Sequence, residues 1–371
     1  MVHPKKKTSL LYAAALILAA AAPCALAAEA ESVPTTISPT TRRTFTPQTC
    51  WETTAGMSVT VDNDLFAGGP HDADYTGGMA LDWTPSHQNP YAGPQRLHYA
   101  LDRLIGVADQ GACRRHVWQL GLFALTPATL RSTVPVFDDR PFASLLAVGS
   151  TALWKGVTED VAWQSTLQVG ALGLDVARAV HAMLHRLVDD EDPQGYQYQI
   201  SSGGEPTARY VLARHQLLND RLVRGETMQL KSATALSVGY LTEASMGFAV
   251  RWGRISSPWQ SFTPEVTDYL PTPNPLALGG RGHSEFYAFA GARVKLRLYN
   301  VLMQGQFRDS VHVLPSSEVE RLLAEGWVGL HWRPVDAWEF RYTMHVETPE
   351  IRSRSARRTI IWGGVSVSRR F

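Results

Sequence analysis

The chain has 371 residues, 35 Lys and Arg against 34 Asp and Glu, and a formal net charge of +1. That length suits two soluble domains or one all-β barrel. The balanced charge excludes the global basic field by which a nucleic-acid-binding protein finds its partner, so no nucleic acid is expected.

The first residues carry Lys5, Lys6 and Lys7, then an apolar run from Leu10 to Ala22, then Ala25-Leu26-Ala27. This is the layout of a secretory signal peptide over 1–27, cut after Ala27. Residues 28–50 are rich in Thr, Pro and Ser without periodicity and read as a flexible periplasmic lead-in, leaving 51–371 as the folded unit. Cys50 and Cys113 remain after cleavage. Export permits a disulfide between them, and two buried free thiols are the other reading. Beyond the signal no run of about 18 apolar residues occurs, so residence in a membrane requires a barrel.

Alternation begins at Met57, Val59 and Val61, with Ser58, Thr60 and Asp62 on the opposite face, and the first strand ends at Asn63-Asp64. A Gly-rich loop leads to a second strand from Tyr75 to Trp83. The long connection 86–114 contains RLHYALDRLIGVA at helical spacing. Strands three to five cover 117–125, 142–154 and 161–172, and VARAVHAMLHRLV after them has the apolar spacing of a short helix. Further alternating segments lie near 207–218, 227–240, 242–254, 284–298, 319–332, 336–347 and 358–371.

The twelve segments predict an all-β fold, a twelve-stranded antiparallel transmembrane β-barrel. An even number places both termini on the periplasmic side of a bacterial outer membrane. Strand ends carry Trp83, Trp154, Trp252, Tyr299, Trp332, Trp338 and Trp362, as in aromatic girdles at the two lipid–water interfaces. The last strand ends on Phe371, similar to the signal read by the barrel assembly machinery, although Arg369 departs from its usual apolar residue. In this topology the loops 64–74, 127–141 and 174–206 share the outer mouth, while Cys50 and Cys113 share the periplasmic side, which favours their bridge.

The polar turn from Asp62 to Gly78, around the first of those loops, and the loop 174–206 hold Asn63, Asp64, Asp74, Thr76, His185 and Glu191. Water attack on an ester needs a base whose pKa lies near ambient pH, which His supplies, and a group that stabilises the oxyanion. Carboxylate and amide oxygens also suit Ca²⁺. Taken singly, Asn-Asp at a strand end is a turn former, His185 a surface histidine and Thr76 a β-former. Taken together they fit a calcium-assisted hydrolase. His181, four residues before His185, opens the alternative of a transition-metal pair with Asp190 or Glu191. Asp189, Asp190 and Asp192 read as a solvated acidic run or as further calcium ligands.

In this setting the segments VDNDLFAGGPHDADYTGG, DDRPFAS and HRLVDDEDPQGYQYQ and the closing strands resemble the outer-membrane lipid A 3-prime-O-deacylase family. The resemblance covers roughly 52–371. It implies a twelve-stranded barrel with active-site loops at the outer mouth. It also implies a calcium-dependent esterase acting on the 3-prime acyloxyacyl chain of lipid A in lipopolysaccharide, among outer-membrane lipids. His185 is then the general base and Asp64 a holder of Ca²⁺ with Asn63 and Glu191. Asn63 and the ion stabilise the oxyanion, Glu191 orients His185 or completes the ion's shell, and Thr76 positions substrate or water.

Three positions depart from the family pattern. Gly77 replaces an Asn after Tyr-Thr, Gly195-Tyr196 stands where Gly-Trp is usual, and no Lys occurs in 127–141. Arg131 is the nearest cation there and suits a lipid A phosphate, but it cannot donate a proton as Lys does. An outer-membrane phospholipase is the alternative enzyme, though no Ser stands in a comparable nucleophile motif. A non-enzymatic channel or adhesin is the alternative outside enzymes, and a porin usually needs more strands to leave an aqueous lumen.

Overall fold

The alternation seen in the sequence becomes the wall of a closed cylinder. The computed structural model describes residues 55–68, 74–85, 95–107, 114–187, 193–271, 273, 284–335 and 337–371, without the side chains of 184–187 and 335. The expected cysteine pair, the signal segment and the lead-in lie outside the described residues.

The strands are β1 (Gly56–Asn63), β2 (Asp74–Thr84), β3 (Arg115–Thr126), β4 (Ala143–Lys155), β5 (Val161–Leu172), β6 (Glu205–Val223), β7 (Glu226–Gly239), β8 (Leu241–Arg254), β9 (Glu285–Asn300), β10 (Leu322–Val335), β11 (Trp338–Glu347) and β12 (Ile360–Arg370). Each pairs with its sequence neighbours, and β12 closes on β1, giving the expected twelve-stranded antiparallel barrel. The seam pairs Ser58 with Ser368 and Asn63 with Gly363. Both helical spacings hold: α1 spans Gln95–Leu104 and α2 spans Asp175–Leu187. A single turn, α3 (Val301–Gln304), follows β9. The connections after β1, β3, β5, β7, β9 and β11 share one end of the barrel, the loop end; Ala55 and Phe371 meet at the other, where the Phe371 N–H donates to the Ala55 carbonyl.

The polarity of the wall is inverted relative to a water-soluble barrel. On β9, Val294, Leu296 and Leu298 are 51%, 47% and 57% exposed, whereas Arg293, Lys295 and Arg297 between them are 3%, 1% and 2% exposed. Such a surface is stable only against hydrocarbon, with every strand's polar backbone satisfied by its neighbours. No described helix is long and apolar enough to cross a membrane.

Exposed Trp83, Trp252, Trp332 and Trp338 all lie at the terminal end, and Trp83 stacks on Trp118 with ring centroids 6.1 Å apart. The expected pair of girdles is therefore corrected at two positions. Trp362 is buried and points into the lumen, where it stacks on His345 at 4.8 Å, because its register is one residue out of phase with the lipid face. Trp154 keeps the lipid-side register of Val148 but is buried there with Val107 and Ala152, against Trp163 and Leu212.

The lumen is filled by a connection from the terminal end, whereas helix α1 packs against the lipid-side face of the wall. Its His98 ring nitrogens bond the Ser150 and Ser165 hydroxyls at 3.0 and 2.9 Å, and these residues share the register of the exposed Val148 and Val169. The segment 255–271 after β8 threads into the lumen. Phe262 packs against Tyr287, Phe289 and Trp327. Glu265 pairs with Lys231 at 3.1 Å, and Asp268 with Arg209 and Arg293 at 2.5 and 2.7 Å. Beyond these, the Tyr269 carbonyl accepts from the Tyr75 hydroxyl at 2.8 Å, close to the loop end. Buried charges persist in such a site only when paired, and each pair here ties the plug to the wall. A cavity of about 70 Å³, lined in part by Ser58, Thr60, Asp62 and Asp82, remains between plug and wall.

Candidate active site

Along β1 the odd positions face lipid, so alternation carries Asn63 to the outer surface while Asp62 turns inward. The chain then leaves the barrel through a 3-10 turn, Asp64–Ala67. Asn63 caps this turn: its Oδ1 accepts from the Leu65 N–H at 2.7 Å, and its Nδ2 donates to the Thr76 carbonyl on β2. Gly68, with φ 72°, ends the turn in the left-handed region. The turn folds back over β12, where a Cβ at Gly363 would meet Phe66 at 2.8 Å, and Tyr342 donates its hydroxyl to the Phe66 carbonyl at 2.7 Å. Asp64 is thereby buried, while Leu65 and Phe66 stay exposed on the outer rim.

Strand β2 enters the site through a bulge between Tyr75 and Gly77. Tyr75 points into the lumen, and the Thr76 hydroxyl is hydrogen-bonded to that of Thr126 on β3 at 2.6 Å, with both residues buried. Gly77 accounts for one departure from the family pattern, since a Cβ there would lie 3.2 Å from Asn63 Nδ2 and 3.0 Å from the Asp62 carbonyl. Its missing side chain leaves room for the Asn63 amide to reach Thr76.

Helix α2 covers the neighbouring wall. Ala177 on the helix clusters with Ala124, Phe142 and Tyr196, with Leu122 and Leu130 against them. Ala124 and Leu122 stand on the lipid-side face of β3, two and four residues before Thr126, whereas Phe123 and Leu125 belong to the lumen core. The helix thus lies outside the cylinder, beside Thr76 and Thr126. His181 is buried on this side and its Nδ1 is 2.9 Å from the Tyr196 hydroxyl.

The structure therefore brings Asn63, Asp64 and Thr76 together on the outer wall of the loop end. Position 185 falls one helical turn beyond His181 in α2. The side chain of His185, and Asp189, Asp190, Glu191 and Asp192 entirely, lie outside the described residues. Arg131 is exposed in the β3–β4 connection, beside Leu130, whose carbonyl accepts from the Gln194 N–H at 2.9 Å. Asp74 does not join the group as a ligand: with φ 69° it opens β2 and is held by Arg140 at 2.9 Å and by two bonds from Arg358 at 2.9 and 3.0 Å.

Sequence reasoning missed the frame behind these residues. In DDRPFAS, Asp139 receives Arg358 at 2.6 Å, Arg140 reaches both Asp74 and Glu350, Phe142 packs on Tyr196 with centroids 5.1 Å apart, and Ser144 donates to Gln199 at 2.8 Å. Glu350 also accepts from Arg297 and the Tyr269 hydroxyl. Burial pushes the Glu350 carboxyl up, but Arg140 and Arg297 outweigh it and hold it at about 2. Burial likewise raises the Tyr269 hydroxyl well above its ordinary value. The one signal for this frame was an Asp-Asp-Arg run directly before a strand.

As a cation site, the described residues offer oxygen donors of the hard kind: the Asp64 carboxylate and the Asn63 and Thr76 oxygens. They suit calcium in type, but Asn63 Oδ1 already serves as the cap and Thr76 already bonds Thr126. A calcium shell of six to eight oxygens needs more donors than these. No group of three or more His, Cys, Asp or Glu positioned for a metal occurs among the described residues; the partners expected for a His181 metal pair lie outside them.

Comparison with known proteins agrees with this architecture. LpxR from Salmonella typhimurium superposes with a TM-score of 0.64 at 16% identity, over 85% of this chain and 100% of that one. The KdgM porin and the β domain of the Bordetella autotransporter BrkA give TM-scores of 0.36 and 0.39 at 5% and 9% identity, over 85% and 86% of this chain and 99% and 100% of theirs. No curated protein sequence matches. The family model for the outer membrane protein LpxR matches residues 10–371, and the chain is accordingly a member of that family of outer-membrane β-barrels.

Proposed function

We propose that this protein is a lipid A deacylase, an esterase that hydrolyses the ester-linked 3-prime acyloxyacyl chain of lipid A in the outer leaflet, with both termini in the periplasm. The observation that carries the reading is the placement of Asn63, Asp64 and Thr76 on the lipid side of the wall, beside a covering helix. A bilayer-embedded acyl ester reaches such a site laterally, whereas a solute in the lumen does not. The lumen plug, with its paired charges, supports an enzyme over a passive channel.

In this reading His185 takes the proton of the attacking water as its oxygen bonds to the ester carbonyl carbon. The C–O bond to the sugar then breaks, and the proton passes to the departing sugar oxygen, giving a free fatty acid and a hydroxyl. Thr76 positions the water or the substrate, and Asn63 donates toward the carbonyl oxygen as it gains charge. Asp64, Asn63 and Glu191 would hold Ca²⁺, which when bound supplies positive charge for that oxygen. Arg131 faces solvent where a headgroup phosphate passes. The terminal strand ending in Phe371 serves delivery by the barrel assembly machinery.

The test is lipid A mass spectrometry on cells producing wild type or His185→Ala. Wild type loses the 3-prime acyl chain, and the variant leaves lipid A intact while migrating as a folded barrel on unboiled gels. Chelating Ca²⁺ from the purified wild type has the same effect, reversed on re-addition. Acyl loss that persists in the variant rejects the base assignment. Release of fatty acid from glycerophospholipid alone moves the protein to the phospholipases.

A further inference from the structure

The connection between β11 and β12 carries Arg352, Arg354, Arg357 and Arg358 within seven residues. They do not share one role. Arg358 is spent on Asp74 and Asp139 and ties the loop to the start of β2, two residues before Thr76. The Ser355 hydroxyl adds a bond to the Asp138 carbonyl at 2.7 Å.

The loop also has its own apolar footing, because Ile351 and Ala356 are buried with Met303, Leu314 and Val319. A bridge joins Val319 to Ile351, and backbone bonds run from Arg352 N to Glu318 O at 2.8 Å and from Glu320 N to Glu350 O at 2.8 Å. On this framework the remaining three arginines are exposed. Arg352 and Arg357 stay 47% and 51% exposed while sharing one carboxylate, Glu320, at 3.2 and 3.0 Å. Arg354 is exposed and makes no hydrogen bond or ion pair to another described residue.

Three exposed arginines within six residues of an ordered loop have one carboxylate, Glu320, shared by two of them, so the loop keeps a surplus of positive charge. The ordering entropy is already spent by the buried half of the loop, so an incoming anion gains the fork-shaped donors at little further cost. Lysines would supply charge but not the planar pairs of N–H donors that fit phosphate oxygens.

We propose that Arg352, Arg354 and Arg357 form a binding site for a phosphate monoester on the headgroup of a lipid A substrate held at the Asn63–Thr76 wall. The proposal rests on the deacylase reading above for its substrate. The chemistry recognised is a phosphate dianion, and the source is the membrane-embedded glycolipid, because Arg358 and Asp74 fix the loop beside the lipid-side site.

The experiment compares full-length wild type with the triple variant R352Q/R354Q/R357Q in detergent. It uses bis-phosphorylated lipid A and the same lipid A stripped of phosphate, and it measures both acyl release and direct vesicle binding. Wild type is expected to favour the phosphorylated substrate by about tenfold in kcat/KM, carried by KM, the scale of one or two charge-assisted bonds. The triple variant brings that ratio near one, and ~0.5 M salt narrows it in wild type.

A wild type without preference, or a variant that keeps it, overturns the proposal. So does competition by millimolar inorganic phosphate as strong as that by phosphorylated lipid A, which would mean a site for free phosphate. Should no acyl chain be released from either lipid, the deacylase reading fails, and the binding arm still decides the phosphate site. Should the triple variant not fold, R354Q alone, which breaks no described contact, is expected to lower the ratio at least twofold, and an unchanged ratio there overturns the proposal.

Discussion

Glu350 shows how much one residue near the site carries. It sits in the β11–β12 connection, fully buried, and joins Arg140 of the β3–β4 connection, Arg297 of β9 and Tyr269 of the plug. Burial alone would favour the neutral acid, and the two guanidiniums reverse that. Its carboxyl is lower in the folded state, about 2, than its ordinary 4.5. The folded protein therefore holds this proton less tightly than the unfolded chain. Stability from Glu350 is complete above about pH 4.5 and is lost as pH falls toward 2. Urea unfolding of the reconstituted barrel should show that loss in wild type. Glu350→Gln should lack this portion of the pH dependence and be less stable at pH 7 by about 3–5 kcal/mol, the usual cost of breaking a buried pair from one side. A variant with the same pH profile as wild type would show that the carboxylate is not the charge holding the three elements together.

Among the elements, the strands were legible and the plug was not, for one physical reason. A strand facing lipid on one side and paired charges on the other writes its environment into a period of two, as in Val294 to Leu298. The plug residues 255–271, ISSPWQSFTPEVTDYLP, have no period, because every contact is made to a different strand. The site divides in the same way. Asn63, Asp64 and Thr76 could be singled out as candidates because strand ends and motif spacing are local. Arg140, Glu350 and Arg358 looked like ordinary loop charges because their partners lie 53 to 284 residues away. That the site lies on the outer wall rather than on the luminal rim followed only from the parity of Asn63 and from the packing of Ala177 on Ala124. The plug yields a prediction at its own scale. Wild type should be silent in planar bilayers, whereas replacing 257–270 by a short Gly-Ser linker should open ionic conductance through the lumen. A silent deletion variant would mean that the luminal side-chain network closes the barrel without the plug.

For the whole molecule, the inside-out polarity and the outward site belong together. A lumen occupied by the plug and ion pairs leaves no route for a two-tailed or larger lipid, so under the proposed function the site is reached from the bilayer itself. Leu65 and Phe66 mark that approach: they follow Asn63 and Asp64 directly, are 56% and 42% exposed, and sit on β12 through Gly363. Near an interface, a charge on the lipid side of a barrel costs only about 0–1 kcal/mol. Leu65→Asp and Phe66→Asp should therefore fold as well as wild type, judged by unboiled gel migration and urea midpoint. In bilayers of lipid A their acyl release should fall at least about fivefold through KM, because the acyl chains meet a hydrated carboxylate beside the site. Short-chain esters soluble in water, which reach the site without crossing that rim, should be hydrolysed by both variants at nearly the wild-type rate. If bilayer and soluble substrates lose rate equally, the turn acts by shaping Asn63 and Asp64, and lateral entry past Leu65 and Phe66 is ruled out.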